Sequence, residues 1–272
     1  MKYEGQLERA ALEGAPLPVP VIDVHAHIGA LSAFHVPRPD GEGMVEVMDR
    51  VGVAAAAISA NSAWAADMRT GNDLVAEAVS QWPGRFAAYC VVNPNYPPEI
   101  EDELKRCFDG VGFRMIKIHP SVHRVKMTDA AYEGVFEFAA KRGAPVLTHT
   151  WVGDEHCGIA AAAEAARRHR GVTFLWGHSG GDDVVEALDE AGNLDNVFLE
   201  LAASRVWNGQ LELMVERFPA ERIVFGSDFP FISLPQQVGK VVFADIAQEA
   251  RRMILHDNAA RLFAEAGVDL PG

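Results

Sequence analysis

The chain has 272 residues, of which 49% are hydrophobic and 23% charged, with a formal net charge of −14. That composition suits a globular protein whose core needs no staples, and the acidic balance argues against a nucleic-acid surface, which needs a basic face. It leaves the substrate open, because a bound metal can make one pocket positive on an acidic protein.

No apolar run is long enough to span a bilayer, and residues 1–14 carry charge without an apolar signal core. Cys90, Cys107 and Cys157 match no zinc-knot spacing and read as reduced thiols. The expectation is a cytoplasmic protein acting on a small molecule, without nucleic-acid or membrane partners. Self-association as a homo-oligomer is left open.

After a polar leader (residues 1–20), strand-like and helix-like segments alternate. The first strand, 22–28, holds Asp23, His25 and His27 at alternate positions, which puts them on one face. A Pro- and Gly-rich loop, 29–43, precedes helix 44–51. Strand 54–59 leads into a loop with Trp64 and Arg69, then helix 72–82, which stops at Pro83-Gly84. Strand 86–92 ends in the turn Asn93-Pro94-Asn95, and helix 99–108 follows Pro98. Strand 112–119 runs into Pro120, which cannot continue a ladder.

The second half repeats the pattern: helix 129–141, strand 145–150, helix 159–169, strand 172–176, and a helix over 183–190. Strand 197–201, helix 210–218 and strand 222–225 come next, and 236–264 reads as two closing helices. Eight such units predict a single (β/α)8 TIM barrel over residues 1–272. The rival, an open doubly wound sheet, calls for a glycine-rich loop after the first strand, and Gly29-Ala30-Leu31 is not one.

In such a barrel the active site lies at the C-terminal strand ends. His25 and His27 end the first strand, Lys117 and His119 the fourth, His149 the fifth, His178 the sixth and Asp228 the eighth, with Glu200 on the seventh. Five of the ten histidines thus fall on one predicted rim. Two imidazoles two residues apart can grip one cation; the plain alternative is a pair of polar residues on a solvated strand. Three imidazoles with one carboxylate suit zinc, and also manganese or iron.

The segments Asp23-Val24-His25-Ala26-His27, Lys117-Ile118-His119-Pro120, Pro145-Val146-Leu147-Thr148-His149, Gly177-His178-Ser179-Gly180-Gly181 and Gly226-Ser227-Asp228-Phe229-Pro230, with the tail Ile254-Leu255-His256-Asp257-Asn258-Ala259-Ala260-Arg261-Leu262-Phe263, resemble the amidohydrolase superfamily. Within it they are most similar to the branch that includes aminocarboxymuconate-semialdehyde decarboxylase. The resemblance implies a divalent metal held by His25, His27, His149 and Asp228. It also implies that His178 acts beside the metal on the substrate, and a carboxylate ligand such as Asp228 can in addition accept the water proton and pass it to a leaving group. The alternative for His178 is a cap on the following helix.

Strand parity turns Lys117 inward, where a lysine is costly unless paired or neutralised. In binuclear superfamily members a carboxylated lysine at the end of strand four bridges two metals. The branch resembled here is usually mononuclear, which favours a substrate-binding or ion-paired Lys117. His119 reads as a rim residue near substrate. Glu200 reads as an inward partner of a ligand or as a salt bridge to a neighbouring strand. Among loop residues, Trp151 and Arg205 are substrate candidates, together with His35, Arg38, Trp64, Arg69 and Trp207. Cys157 has no basic partner in the sequence pattern, so nucleophilic catalysis by it is not expected.

The expected activity is metal-dependent hydrolysis of an ester, lactone or amide in a small, carboxylated substrate. The alternative is a nonoxidative decarboxylase with nearly the same ligand set. Some decarboxylases of the branch replace a strand-one histidine with Glu or Ala; this chain keeps both, which favours hydrolysis. A noncatalytic metal-binding scaffold would lack a proton-transfer residue, yet His178 and Asp228 are present.

Overall fold

The alternation becomes one eight-stranded parallel sheet in the order β1 to β8. The computed structural model describes residues 5–33, 35–182 and 184–270. The strands are β1 Val21–Ile28, β2 Val53–Ala60, β3 Phe86–Val91, β4 Met115–Ile118, β5 Val146–His149, β6 Phe174–Gly177, β7 Val197–Glu200 and β8 Ile223–Val224. The α-helices are α1 Gln6–Glu13, α2 Gly41–Val51, α3 Asn61–Ala65, α4 Met68–Gln81, α5 Pro97–Lys105, α6 Pro120–His123, α7 Glu133–Arg142, α8 Ile159–Arg168, α9 Val184–Gly192, α10 Gln210–Arg217, α11 Leu234–Val242, α12 Gln248–Arg252 and α13 Asn258–Glu265.

Local chemistry sets the helix ends. Asp40 and Asp67 accept from the backbone N–H groups of Gly43 and Thr70, capping α2 and α4. Gly52 and Gly143 take left-handed backbone and close α2 and α7. β8 is too short to close the barrel by ladder bonds alone. The segment after it does so: Val24 N donates to Phe225 O at 2.9 Å, Asp228 N to His25 O at 2.8 Å and His27 N to Phe229 O at 2.7 Å. This closure lays Asp228 beside both strand-one histidines.

Two apolar layers hold the assembly. Inside the barrel, Val24, Tyr89, Met115, Leu147, Leu175 and Phe198 pack with Leu262 and Phe263 of α13, which plugs the end opposite the strand C-termini. Outside, residues such as Ile58, Ile116, Trp176 and Leu199 pack against the helices. Lys117 therefore faces inward and Ile116 outward, as strand parity predicts. Among the described residues, no helix is long and apolar enough to cross a membrane.

Several expectations need correction. The leader contains α1, whose Glu8 pairs with Arg251 at 2.9 Å, both nearly buried. A charge run read locally cannot reveal a partner so far along the chain. The predicted strand 112–119 shrinks to β4, because His119 leaves the ladder to cap α6. The closing region divides into α11, α12 and α13, with a π-helical turn at Met253–Asp257. The predicted helix start at Asp183 lies outside the described residues. In β1, a register shift between Asp23 and Ala26 breaks simple alternation. Val24 therefore joins the interior cluster, while His25 and His27 line a cavity that Asp23 does not reach.

Candidate metal centre

A cavity of about 360 Å³ opens at the strand C-termini, lined by His25, His27, Lys117, His119, His149, His178 and Asp228. Trp64, Trp151, Phe231, Leu31 and Ile232 supply its apolar wall, with Ser204 at its edge. Of the sequence-predicted residues, Glu200 and Arg205 do not line it, nor do Asp23 and the loop candidates His35, Arg38, Arg69 and Trp207.

At the base, three donor atoms converge. His27 Nε2 lies 3.0 Å from Asp228 Oδ1 and 3.3 Å from His25 Nε2, and His25 Nε2 lies 3.5 Å from Asp228 Oδ1. Such a triangle is what three ligands roughly 2.0–2.2 Å from one cation would form. His25 Nε2 carries the lone pair of its ring. Its Nδ1–H donates to Glu200 Oε2 at 3.0 Å, an oxygen that already accepts from the His178 backbone N–H at 2.8 Å. On the far side of His27, Nδ1 meets Ser59 Oγ at 3.1 Å. Carboxylate and hydroxyl partners behind metal-binding imidazoles fix the tautomer and ring orientation.

Electrostatics agree with a ligand role. Burial, then Lys117, lowers the His25 pKa well below the ordinary value; burial also lowers that of His27 against the pull of Asp228. Both rings are thereby held neutral, the form that binds metal. Burial alone would raise the Asp228 pKa, but the His27 hydrogen bond and nearby imidazoles hold it well below the carboxylate range. The donors fit a divalent cation. A second group, His25, His178 and Glu200, also lies within ligand distance, but hydrogen bonds within it already use the Glu200 oxygens.

His149 is not in the tight group. Its ring centroid lies 4.3 Å from that of His119, in a stacked pair, and 4.6 Å from that of His178. Burial and the neighbouring His119 and His178 push its pKa well down. The ring is thus neutral and on the cavity wall, but the structure does not bring it to the His25–His27–Asp228 triangle. Lys117 is buried, and its Nζ donates to His25 Nε2 at 2.8 Å. Burial pushes its pKa down to about 8. The lysine and a cation compete for one lone pair, so Lys117 is a neighbour of the centre.

His178 Nδ1–H donates to Ala202 O at 2.8 Å, which leaves Nε2 as the free ring nitrogen of a cavity-lining residue. The backbone is left-handed at His178 (φ 67°), Ser179 (φ 45°) and Asp228 (φ 59°). Non-glycine residues adopt that region reluctantly, and such strain gathers at functional sites.

Glu200 is fully buried behind His25, accepts from its Nδ1–H and does not line the cavity. Arg205 is 67% exposed and paired with Asp182, so the structure gives it no substrate contact. The loop candidates divide. Trp64 reaches the cavity, whereas His35, Arg38 and Arg69 are exposed and Trp207 lines a separate hollow. Sequence reasoning assigned Asp23 to the histidine face. Asp23 instead accepts from the backbone N–H groups of His25 at 2.9 Å and Ser227 at 3.0 Å, and from the Ser227 hydroxyl. It ties β1 to the segment that carries Asp228. Burial pushes its pKa up to about 8.

A family model described as amidohydrolase matches residues 22–264. The chain belongs to the amidohydrolase family. Its fold is shared by an uncharacterised TIM-barrel protein from Bordetella bronchiseptica, at TM-score 0.77 and 19% identity over 92% of this chain and 100% of that one. A dihydroxybenzoic acid decarboxylase from Polaromonas, solved with bound manganese and the inhibitor 2-nitroresorcinol, matches at TM-score 0.75 and 18% identity over 90% of this chain and 97% of that one. A 5-carboxyvanillate decarboxylase from Novosphingobium aromaticivorans, complexed with manganese, matches at TM-score 0.73 and 13% identity over 91% and 96%. At such identities the likeness is one of fold. No curated protein matches the sequence.

Proposed function

We propose that the chain is a metal-dependent carboxy-lyase that removes carbon dioxide nonoxidatively from a small carboxylated substrate. The observation that carries this reading is the buried Lys117 beside the donor triangle, in a cavity otherwise walled largely by imidazoles, indoles and apolar side chains. That arrangement suits one carboxylate with an apolar remainder. Two fold neighbours named as decarboxylases, both with manganese, lend support. They also favour manganese over the zinc expected from the donor types, and His25, His27 and Asp228 would hold either, with His149 a candidate fourth ligand.

When bound, the cation supplies positive charge that polarises an oxygen of the substrate or acidifies water. The chain's residues do the rest. Trp64, Trp151 and Phe231 enclose the substrate and limit water. Lys117 offers an N–H donor to its carboxylate. The C–C bond to the carboxylate breaks, its electron pair stays on the substrate carbon, and carbon dioxide leaves. A proton then reaches that carbon from Nε2–H of His178 in its protonated form, which the ring regains from solvent, while its Nδ1–H bond to Ala202 O holds it in place.

Hydrolysis is the second reading, favoured by the retention of both His25 and His27. There Asp228 takes the proton of the attacking water. The two readings separate in deuterated buffer with manganese- or zinc-loaded protein. A panel of aryl and conjugated carboxylic acids should release carbon dioxide and gain one deuterium at the vacated carbon. Turnover of esters or lactones, with no carbon dioxide from any acid, would falsify the lyase reading.

A further inference from the structure

We infer that Glu200 is a positioning residue for both halves of the site, and that position 226 is glycine because Glu200 requires the space. The inference rests on His25 being a metal ligand and is independent of which reaction follows. One carboxylate serves both sides: Oε2 accepts from His25 Nδ1–H at 3.0 Å and from the His178 backbone N–H at 2.8 Å, and Oε1 accepts from the Ala202 backbone N–H. The Glu200 carbonyl accepts from Ser179 Oγ at 2.6 Å, and Ala202 O holds the His178 ring at 2.8 Å. The orientation of His25 and the placing of the His178 backbone N–H are therefore referred to one side chain, and Ser179 to the carbonyl of the same residue.

Gly226 is the second, independent observation. A Cβ at this position would stand 1.9 Å from Glu200 Oε1, 2.6 Å from Cδ and 2.9 Å from Cγ. Its backbone is not left-handed, so the obstacle to alanine there is steric, and the three atoms nearest an added Cβ all belong to the Glu200 side chain. A structural acid would need only a counter-ion. Among the described residues no lysine or arginine forms an ion pair with Glu200, Lys117 and Lys240 acting on it only at longer range, and its three partners are N–H donors on elements that carry the site.

The test is a coupling measurement on metal affinity, read by manganese or zinc competition against a chromophoric chelator, with cobalt absorption as the geometric signature. Gly226→Ala leaves the Glu200 carboxylate chemically intact but displaces it. It should weaken metal binding by about 10–100-fold, the usual consequence of losing a partner behind a ligand. Glu200→Ala should do the same, and in that background the added methyl has room. The double variant should then bind within about threefold of Glu200→Ala, because coupled sites are not additive. Both single variants should alter the cobalt spectrum.

The inference is overturned if Gly226→Ala binds metal as the parent does, or if its loss multiplies in full with that of Glu200→Ala. Should the alanine variants at 200 fail to fold, Glu200→Gln replaces them. Either amide orientation sets one N–H against another, so a tenfold loss or more is expected, and parental affinity and spectrum overturn the inference. A parent protein that binds no cation at all removes the ligand role of His25 itself, a separate and recognisable failure.

Discussion

Two buried polar clusters in this molecule are built on opposite rules. Between the barrel and its helices, Glu103 accepts from Asn72 Nδ2 at 2.8 Å and from Arg106 Nε and Nη2 at 2.8 and 2.6 Å, while Asn72 also bonds the Val91 backbone N–H and carbonyl at 2.9 and 3.0 Å. Every donor there has an acceptor, and the cluster faces no ligand cavity. At the barrel mouth, His25 Nε2, His27 Nε2 and Asp228 Oδ1 crowd within 3.5 Å of one another beside open space, bridged only by protons of the Lys117 amine and the His27 ring. A satisfied cluster holds a fold together. A cluster whose ligand atoms meet at an open cavity can exchange its bridging protons for a cation, which marks it as functional.

The sharpest way to break that contrast is Asp228→Asn. Turnover should fall by about 10³-fold or more and metal content should drop, measured as kcat/KM and by elemental analysis. The melting temperature of the metal-free protein should change little, because the amide oxygen still accepts from His27 and the lost charge was itself costly to bury. A fall in metal-free stability would place Asp228 among the structural residues.

Glu103→Ala should give the opposite pattern. It leaves the Asn72 amide and Arg106 guanidinium without their acceptor, a loss of about 2–3 kcal/mol in unfolding free energy by denaturant titration. Metal affinity should be unchanged. A matching fall in metal affinity would mean that the two clusters are mechanically joined.

A subtler test lies behind the Trp64 wall. His123 donates from Nε2 to Trp64 O at 3.1 Å, and burial pushes its pKa down to about 4. The folded state thus keeps the ring neutral while the unfolded chain takes up a proton near its ordinary value of about 6.5. His123 therefore contributes stability above that pH and loses it as pH falls toward 4. Relative to His123→Gln, the parent melting temperature should decline across this window. Parallel curves would show that the ring titrates freely.

How much of this was legible in the sequence follows from the range of each signal. The strand alternation and the His-x-His of β1 are local, so the barrel and three of the cavity's metal-binding candidates, His25, His27 and Asp228, could be placed from pattern and family resemblance. The inward turn of Lys117 followed from parity. Contacts between distant segments stayed hidden: Glu8 with Arg251, and Asp23 with Ser227. The β1 bulge moved Asp23 off the histidine face, because a bulge depends on the partner strand and leaves no local mark. Parity placed Glu200 inward, but only packing reveals the space that Gly226 leaves for it. His149 shows the same limit, since its place at a strand end is readable while its ring orientation is set by stacking against His119.

Arg205→Ala should have the smallest effect and tests where the mouth ends. Its guanidinium pairs with Asp182, and both groups are substantially exposed. Such pairs contribute about 0–1 kcal/mol and weaken with salt, so stability should barely change. Ser204 does line the cavity, so the chain passes the mouth immediately before this arginine. If Arg205 stays with Asp182 during turnover, KM for a carboxylated substrate should move by less than about threefold, a shift within that pair energy. A rise in KM of tenfold or more, with kcat unchanged, would mean that the guanidinium leaves Asp182 for the substrate. Replacing Asp182 by Asn should then lower KM, because it frees the arginine. That paired result would extend the functional cluster beyond the buried donors to an exposed, switchable cation at its rim.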